Sequence, residues 1–341
     1  MSTAMKREKK PDVALVLSSG GPRGFAYIGA IEELLNRGYN ITSIAGCSMG
    51  SLIGGIYASG HLDKVKEWLF NLDAWRVFQL LDLSISMNHV VKGDRVISEI
   101  EKIVPKVNIE DLNIPFCAVA SDLLKAEEVV FERGDLFSAI RASISIPSLF
   151  RPIKYDNNTL VDGCLTNPIP LNRVKRKKGD ILIAFDVNDV DIAAINEIIE
   201  TERRLIRERA SEEFDEKKQR KSYIEQITEN KSLTFKDKSM LTINRAKMLF
   251  YNRNKENKLE EFKEKNPILE SDCNYYSLTS RCFSVYNHAA TKLMLQLYKP
   301  DVLIQMPFDR YGEISDYSRA REISELGRIL TRDALDRYEN R

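Results

Sequence analysis

Apolar, β-branched residues dominate positions 12–19, the pattern of a buried strand. Phe25, Ile28, Ile31, Leu34 and Leu35 then recur at helical spacing until Gly38 closes the helix. The alternation repeats along the chain. Residues 41–45, 114–120, 129–132, 181–187 and 301–306 read as strands, and 48–59, 64–72, 95–103 and 317–338 as helices. A hairpin is expected from 151–155 through a turn at 156–159 to Leu160. Strands alternating with helices through about residue 188 predict a parallel-rich sheet covered by helices.

The pattern changes after that point. Residues 192–230 are rich in Glu, Arg and Lys, with Ile195, Ile198, Ile199, Leu205 and Ile206 at helical spacing. Residues 231–265 continue basic and helical, with Met248, Leu249, Phe250 and Tyr251 as an apolar cluster. The chain therefore reads as a polar tail (1–11), a core (12–190), a charged helical insertion or subdomain (191–270) and a part returning to the core (271–341). The insertion is either a solvated cover or dimer surface, or a lid or membrane-contact element whose apolar residues enter lipid beside Lys and Arg.

Composition removes some function classes. A length of 341 residues suits one large domain or two small ones, and a net charge of +1 argues against nucleic-acid binding. No apolar stretch reaches membrane-spanning length, and no apolar signal core follows the basic start. Five scattered cysteines form neither a disulfide framework nor a zinc pattern, which points to a reducing, cytoplasmic setting. No calcium loop or dense carboxylate cluster appears, so no metal or cofactor is expected.

Three motifs carry chemistry. Gly46-Cys47-Ser48-Met49-Gly50 lies between a strand and a helix. Glycines two residues either side of a serine permit the tight turn of a nucleophile elbow, which lifts the hydroxyl off the sheet edge. Gly20-Gly21-Pro22-Arg23-Gly24 follows the first strand and opens the first helix. Backbone N–H groups at such a turn cradle either a phosphate or the oxyanion of a tetrahedral intermediate. The Walker lysine and Gly-x-Gly-x-x-Gly are both absent, and Pro22 has no N–H. The available donors are Gly20, Gly21 and Arg23, joined by Met49 after the serine. Asp162-Gly163-Cys164 ends an apolar strand, where an aspartate either caps a turn or enters a site.

Together, in this order, the motifs resemble those of the patatin-like phospholipases: a glycine-rich oxyanion loop, a Gly-x-Ser-x-Gly elbow and an Asp-Gly-Gly/Ala motif. Residues 139–150 and 118–123 are similar to further segments of that family, and the resemblance runs over about 12–187 and again near 301–307. It departs at Ser19, where a third glycine is common, and at Cys164, where Gly or Ala is usual. The first alters loop flexibility; the second crowds or sensitises the site. The resemblance implies a three-layer α/β/α sandwich with a mostly parallel sheet, and a lipid acyl hydrolase acting on phospholipid or lysophospholipid esters. It implies a dyad in which Asp162 takes the Ser48 proton directly.

A serine hydroxyl needs such a base at neutral pH. Three histidines offer rivals: His61 in a helix-start sequence, His89 in a polar stretch, and His288, which follows the aspartate in the Ser-Asp-His order of α/β-hydrolases. Arg23 either meets a substrate phosphate or bonds neighbouring carbonyls. A soluble carboxylesterase or thioesterase would use the same machinery; a non-catalytic interaction protein would not need it.

Overall fold

The computed structural model describes residues 10–81, 94–147, 149–229, 275–307, 310–311 and 315–341. The chain separates into two compact units, one comprising Met1–Val190 with Leu278–Arg341 and the other Asp191–Ser277.

The first unit is built on eight strands: β1 (Asp12–Leu17), β2 (Asn40–Cys47), β3 (Phe116–Asp122), β4 (Glu127–Phe131), β5 (Ile153–Tyr155), β6 (Asn158–Asp162), β7 (Ile181–Asp189) and β8 (Val302–Pro307). Their order is β5-β6-β3-β2-β1-β7-β8, with β4 also on β3. Strands β3, β2, β1, β7 and β8 run parallel. Strands β4 and β6 lie antiparallel to β3, and β5 antiparallel to β6. The β5–β6 hairpin turns on Asp156 and Asn157 alone, both at positive φ, rather than on the four residues expected.

Alternation along β1 sorts the two faces. Val13, Leu15 and Leu17 point into the large core, built with α1 (Ala26–Asn36), α2 (Met49–Ala58), α3 (Leu62–Phe70), α5 (Asp94–Glu101), α6 (Leu136–Ser143) and the closing helix. Ala14 and Val16 face a thinner layer that includes Ile169, Leu171 and Met294. Met294 belongs to α8 (Tyr275–Leu297), and α9 (Ala320–Glu339) is the closing helix packed on α1. A short α4 (Ala74–Leu81) lies between α3 and α5 in the chain. The result is a mixed α/β fold with helices on both faces of a mostly parallel sheet.

The second unit is described through α7 (Ile192–Glu229), 38 residues long. Asp191 starts it, its carboxylate accepting the Ala194 N–H at 2.9 Å. The cluster Met248–Tyr251 and His89 lie outside the described residues. No helix among the described residues is long and apolar enough to cross a membrane.

Candidate active site

Strand β3 brings the two central side chains together. On one edge it pairs with β4 along residues 118–122. Its other edge is shared end to end: β2 pairs with residues 116–119, and β6 with residues 120–122. Cys47 lies opposite Val119, and Asp162 opposite the next residue, Ala120. Ser48 leaves the end of β2 at that point and meets the aspartate arriving on β6. The Ser48 hydroxyl donates to Asp162 Oδ2 at 2.5 Å.

The backbone at Ser48 is strained, with φ 53° and ψ −120°. Such a conformation costs on the order of 1–3 kcal/mol and persists only where the surroundings fix it. Glycines remove the collisions the turn would otherwise create. A Cβ on Gly46 would lie 2.4 Å from the Gly50 carbonyl oxygen, and one on Gly50 would lie 2.2 Å from that of Leu17. Ser143, at the end of α6, completes the support. Its hydroxyl accepts the Ser48 N–H at 2.9 Å and donates to the Val119 carbonyl at 2.6 Å. Ser48 occupies the N-cap of α2, yet its side chain makes no cap bond. The hydroxyl is turned to the aspartate, and the positive end of the helix dipole faces the same space.

Asp162 is fully buried. Burial raises its carboxyl from the usual 3.8 to about 6, against the lowering effect of the Ser48 and Cys164 hydrogen bonds. Oδ1 accepts the Cys164 N–H at 2.9 Å in the turn opened by Gly163, which fixes the carboxylate plane. The Cys47 thiol also approaches Oδ1, at 3.9 Å. Burial and the neighbouring Asp162 push that thiol well above its ordinary range, so it stays protonated and packs as a small residue.

The glycine loop forms a 3-10 turn, Gly21–Phe25. Within it the Arg23 N–H donates to the Gly20 carbonyl at 3.2 Å, so this amide is engaged in the turn and is not an oxyanion donor, contrary to expectation. The same bond aims the next amide. In a trans peptide the N–H points opposite the C=O, so holding the Gly20 carbonyl fixes the direction of the Gly21 N–H. Gly21 and Met49 are each the first residue of their helix and have no acceptor within it. Both line a cavity with Ser48; Gly20 and Arg23 do not. The Arg23 side chain is 5% exposed, lies where its charge favours the ionised form of Asp186, and does not line the cavity. Gly24 backs the elbow, closely approached by the Met49 side chain.

The cavity holds about 60 Å³ of open space. Apart from Ser48, its side chains are apolar or aromatic, contributed by α3 (Trp68, Leu69), α4 (Val77, Leu80) and α5 (Val96, Ile100), with Phe150 and Tyr317.

The patatin-like phospholipase family profile matches residues 15–174, from β1 through all three motifs and the turn that follows Asp162. The chain contains a patatin-like phospholipase domain. It is similar to an uncharacterized NTE family protein of Mycobacterium tuberculosis, 42% identical over 184 residues, covering 54% of this chain and 51% of that protein. It is also similar to Lysophospholipase NTE1 of Debaryomyces hansenii, at 31% identity over 52% of this chain and 12% of that protein. Neuropathy target esterase sws of Drosophila melanogaster matches at 28% identity over 52% and 13%. The match thus spans about half of the mycobacterial protein and a small part of the other two.

Among the described residues, the two histidines bond groups other than the serine. His61 is at the N-cap of α3, but its ring makes no cap bond; Nδ1 lies 2.7 Å from the Ser59 carbonyl. His288, on α8, donates from Nδ1 to the Asn188 carbonyl at 3.0 Å. A carbonyl only accepts, so this bond fixes the tautomer. Sequence reasoning did not single out Ser143 and Asn188, the residues that hold the elbow and the loop. Ser143 fell inside a segment noted only for its family likeness; Asn188 carried no signal.

Proposed function

We propose that this domain is a serine acyl hydrolase that cleaves lipid esters through an acyl-enzyme on Ser48, with Asp162 as base. The observation carrying the reading is the 2.5 Å bond to a buried carboxylate from the hydroxyl of Ser48, which lines an apolar cavity. Asp162 takes the hydroxyl proton as Ser48 attacks the ester carbonyl. The oxyanion meets the Gly21 and Met49 N–H groups, each worth on the order of 3 kcal/mol in comparable sites. The protonated carboxyl then gives its proton to the leaving alcohol. The same carboxylate activates the water that releases the fatty acid. Burial is what makes Asp162 useful: a carboxyl near 6 is a stronger base than one at 3.8, yet remains ionised at neutral pH. Asp186 is also raised, to about 7, but geometry does not join it to the serine.

The lining favours a lipid over a small polar ester. Among the described residues no charged side chain enters the cavity, so it suits an acyl chain, with the head group left at the mouth. The names of the yeast and fly relatives, a lysophospholipase and an esterase, agree with an ester substrate. Contact with a lipid surface would follow from such a substrate.

Two results test the chain-binding role. For p-nitrophenyl esters, kcat/KM is expected to rise with acyl length by roughly fourfold per methylene, the equivalent of about 0.8 kcal/mol, until the cavity is filled. Leu72→Trp, which narrows it, is expected to lower kcat/KM for a long-chain ester about tenfold while leaving the butyrate within about threefold. Equal effects on both esters would remove the acyl chain from this cavity. His288→Ala, tested on the same esters, is expected to keep activity within about threefold, because its ring bonds the Asn188 backbone carbonyl and not the dyad, and the Asn188 side-chain bonds to the loop stay in place. A folded but inactive His288→Ala protein would reject Asp162 as sole base.

A further inference from the structure

Past the end of β1 the chain runs as Ser18-Ser19-Gly20-Gly21 beside the end of β7. Asn188, 1% exposed, reaches across from β7. Its side-chain amide donates to the Ser19 carbonyl at 2.7 Å and to the Ser18 hydroxyl at 3.3 Å. The Ser19 carbonyl can only accept, which sets the amide with nitrogen toward it. Asn188 is itself held at both backbone groups. Its N–H donates to Asp186 Oδ1 at 2.9 Å, and its carbonyl accepts from His288.

The Ser19 carbonyl and the Gly20 N–H belong to one planar peptide, so fixing the first fixes the second. The flanking peptides are fixed as well. Ser19 N–H donates to the Pro168 carbonyl at 2.8 Å, six residues beyond Asp162, and Gly20 carbonyl accepts from Arg23. Gly20 lies so close to β7 that a Cβ there would sit 2.1 Å from a Val187 methyl. The direction of the Gly21 N–H at the cavity is therefore set by a loop clamped to β7 through Asn188.

We propose that Asn188 is a positioning residue for the Gly21 oxyanion donor, acting through the Ser19–Gly20 peptide; this rests on the acyl-hydrolase reading above. The bond count separates positioning from mere folding. The Ser18 hydroxyl also donates to the Ser19 carbonyl, at 2.9 Å, so loss of Asn188 leaves that carbonyl satisfied but held once instead of twice. The fold survives while the Gly21 donor loses its aim.

The test uses Asn188→Asp, which keeps the shape but places an acceptor against the Ser19 carbonyl, together with Asn188→Ala and Ser18→Ala. All rates are taken per serine titrated with a fluorophosphonate. Asn188→Asp is expected to lower kcat roughly 10- to 100-fold on a p-nitrophenyl ester, with KM within about threefold, since sub-ångström misplacement of donors costs on this scale. It is expected to weaken a long-chain trifluoromethyl ketone, which forms a tetrahedral oxyanion on Ser48, by a similar factor. A long-chain alcohol filling the same cavity is expected to bind within about twofold of wild type. Ser18→Ala is expected to move both quantities in the same direction by less. Unchanged kcat per titrated serine and unchanged ketone affinity in the Asn188 and Ser18 variants would overturn the proposal, even if fewer sites titrate. If Ser48→Ala retained activity, the underlying acyl-hydrolase reading would fall instead.

Discussion

Ser48→Ala is expected to lower kcat on ester substrates by about 10⁴- to 10⁶-fold, the scale seen when a serine nucleophile is removed from a site that keeps its oxyanion donors. This corresponds to roughly 5–8 kcal/mol of barrier. The fold is expected to survive. The elbow is held by backbone groups and neighbours the substitution does not touch: the Ser48 N–H on Ser143, and the Gly46 and Gly50 contacts. Asp162 loses one hydrogen bond, so its carboxyl rises further and is more readily held neutral, which limits the cost of the missing partner. Circular dichroism and thermal unfolding beside ester turnover check both halves. Activity within tenfold of wild type would place the nucleophile elsewhere.

Asp162→Asn is expected to lower kcat by roughly 10²- to 10⁴-fold, the usual contribution of a general base, and also to stabilise the protein at neutral pH. A carboxyl raised from 3.8 to about 6 by burial binds its proton more tightly folded than unfolded. Stability from this group is therefore fully present below about pH 4 and is lost as pH rises through 6, by about 3 kcal/mol when ionisation is complete. An amide carries no such charge and still offers its oxygen to the Cys164 N–H. The variant should unfold at higher temperature than wild type at pH 7–8, and the gap should close near pH 4. Over the same window wild-type kcat/KM should rise with a limb near pH 6 that the variant lacks. An Asp162→Asn protein with wild-type kcat, or one less stable than wild type at pH 8, would contradict the account of this carboxylate.

The site was legible where local geometry demands particular residues. Ser48 is announced by Gly46 and Gly50 because their Cβ atoms would strike backbone carbonyls within the turn or on the adjacent strand. Asp162 is announced by its place at the end of an apolar strand. Their meeting is a different matter, since 114 residues separate them and the register of two strands on one edge of β3 decides it. A short apolar run such as Val129-Val130-Phe131 fits parallel and antiparallel pairing equally, so the antiparallel pairing of β4 and β6 with β3 was hidden. Arg23 misled because a 3-10 closure consumes its amide, and a five-residue glycine turn does not reveal which N–H groups it satisfies internally. Ser143 and Asn188 were invisible for a related reason. Serine and asparagine are mostly surface residues, and only the folded contacts over 95 and 169 residues explain why these two are buried.

The central claim is that one serine, beside one carboxylate and two amides, attacks acyl groups drawn from an apolar cavity. The most direct test is intact-mass and peptide analysis after reaction with a long-chain alkyl fluorophosphonate, with and without competing lysophospholipid. The account predicts a single adduct per chain, on the peptide containing Ser48, formed more slowly with lysophospholipid present and absent in Ser48→Ala. No adduct on folded protein, or an adduct on another residue that persists in Ser48→Ala, would contradict it.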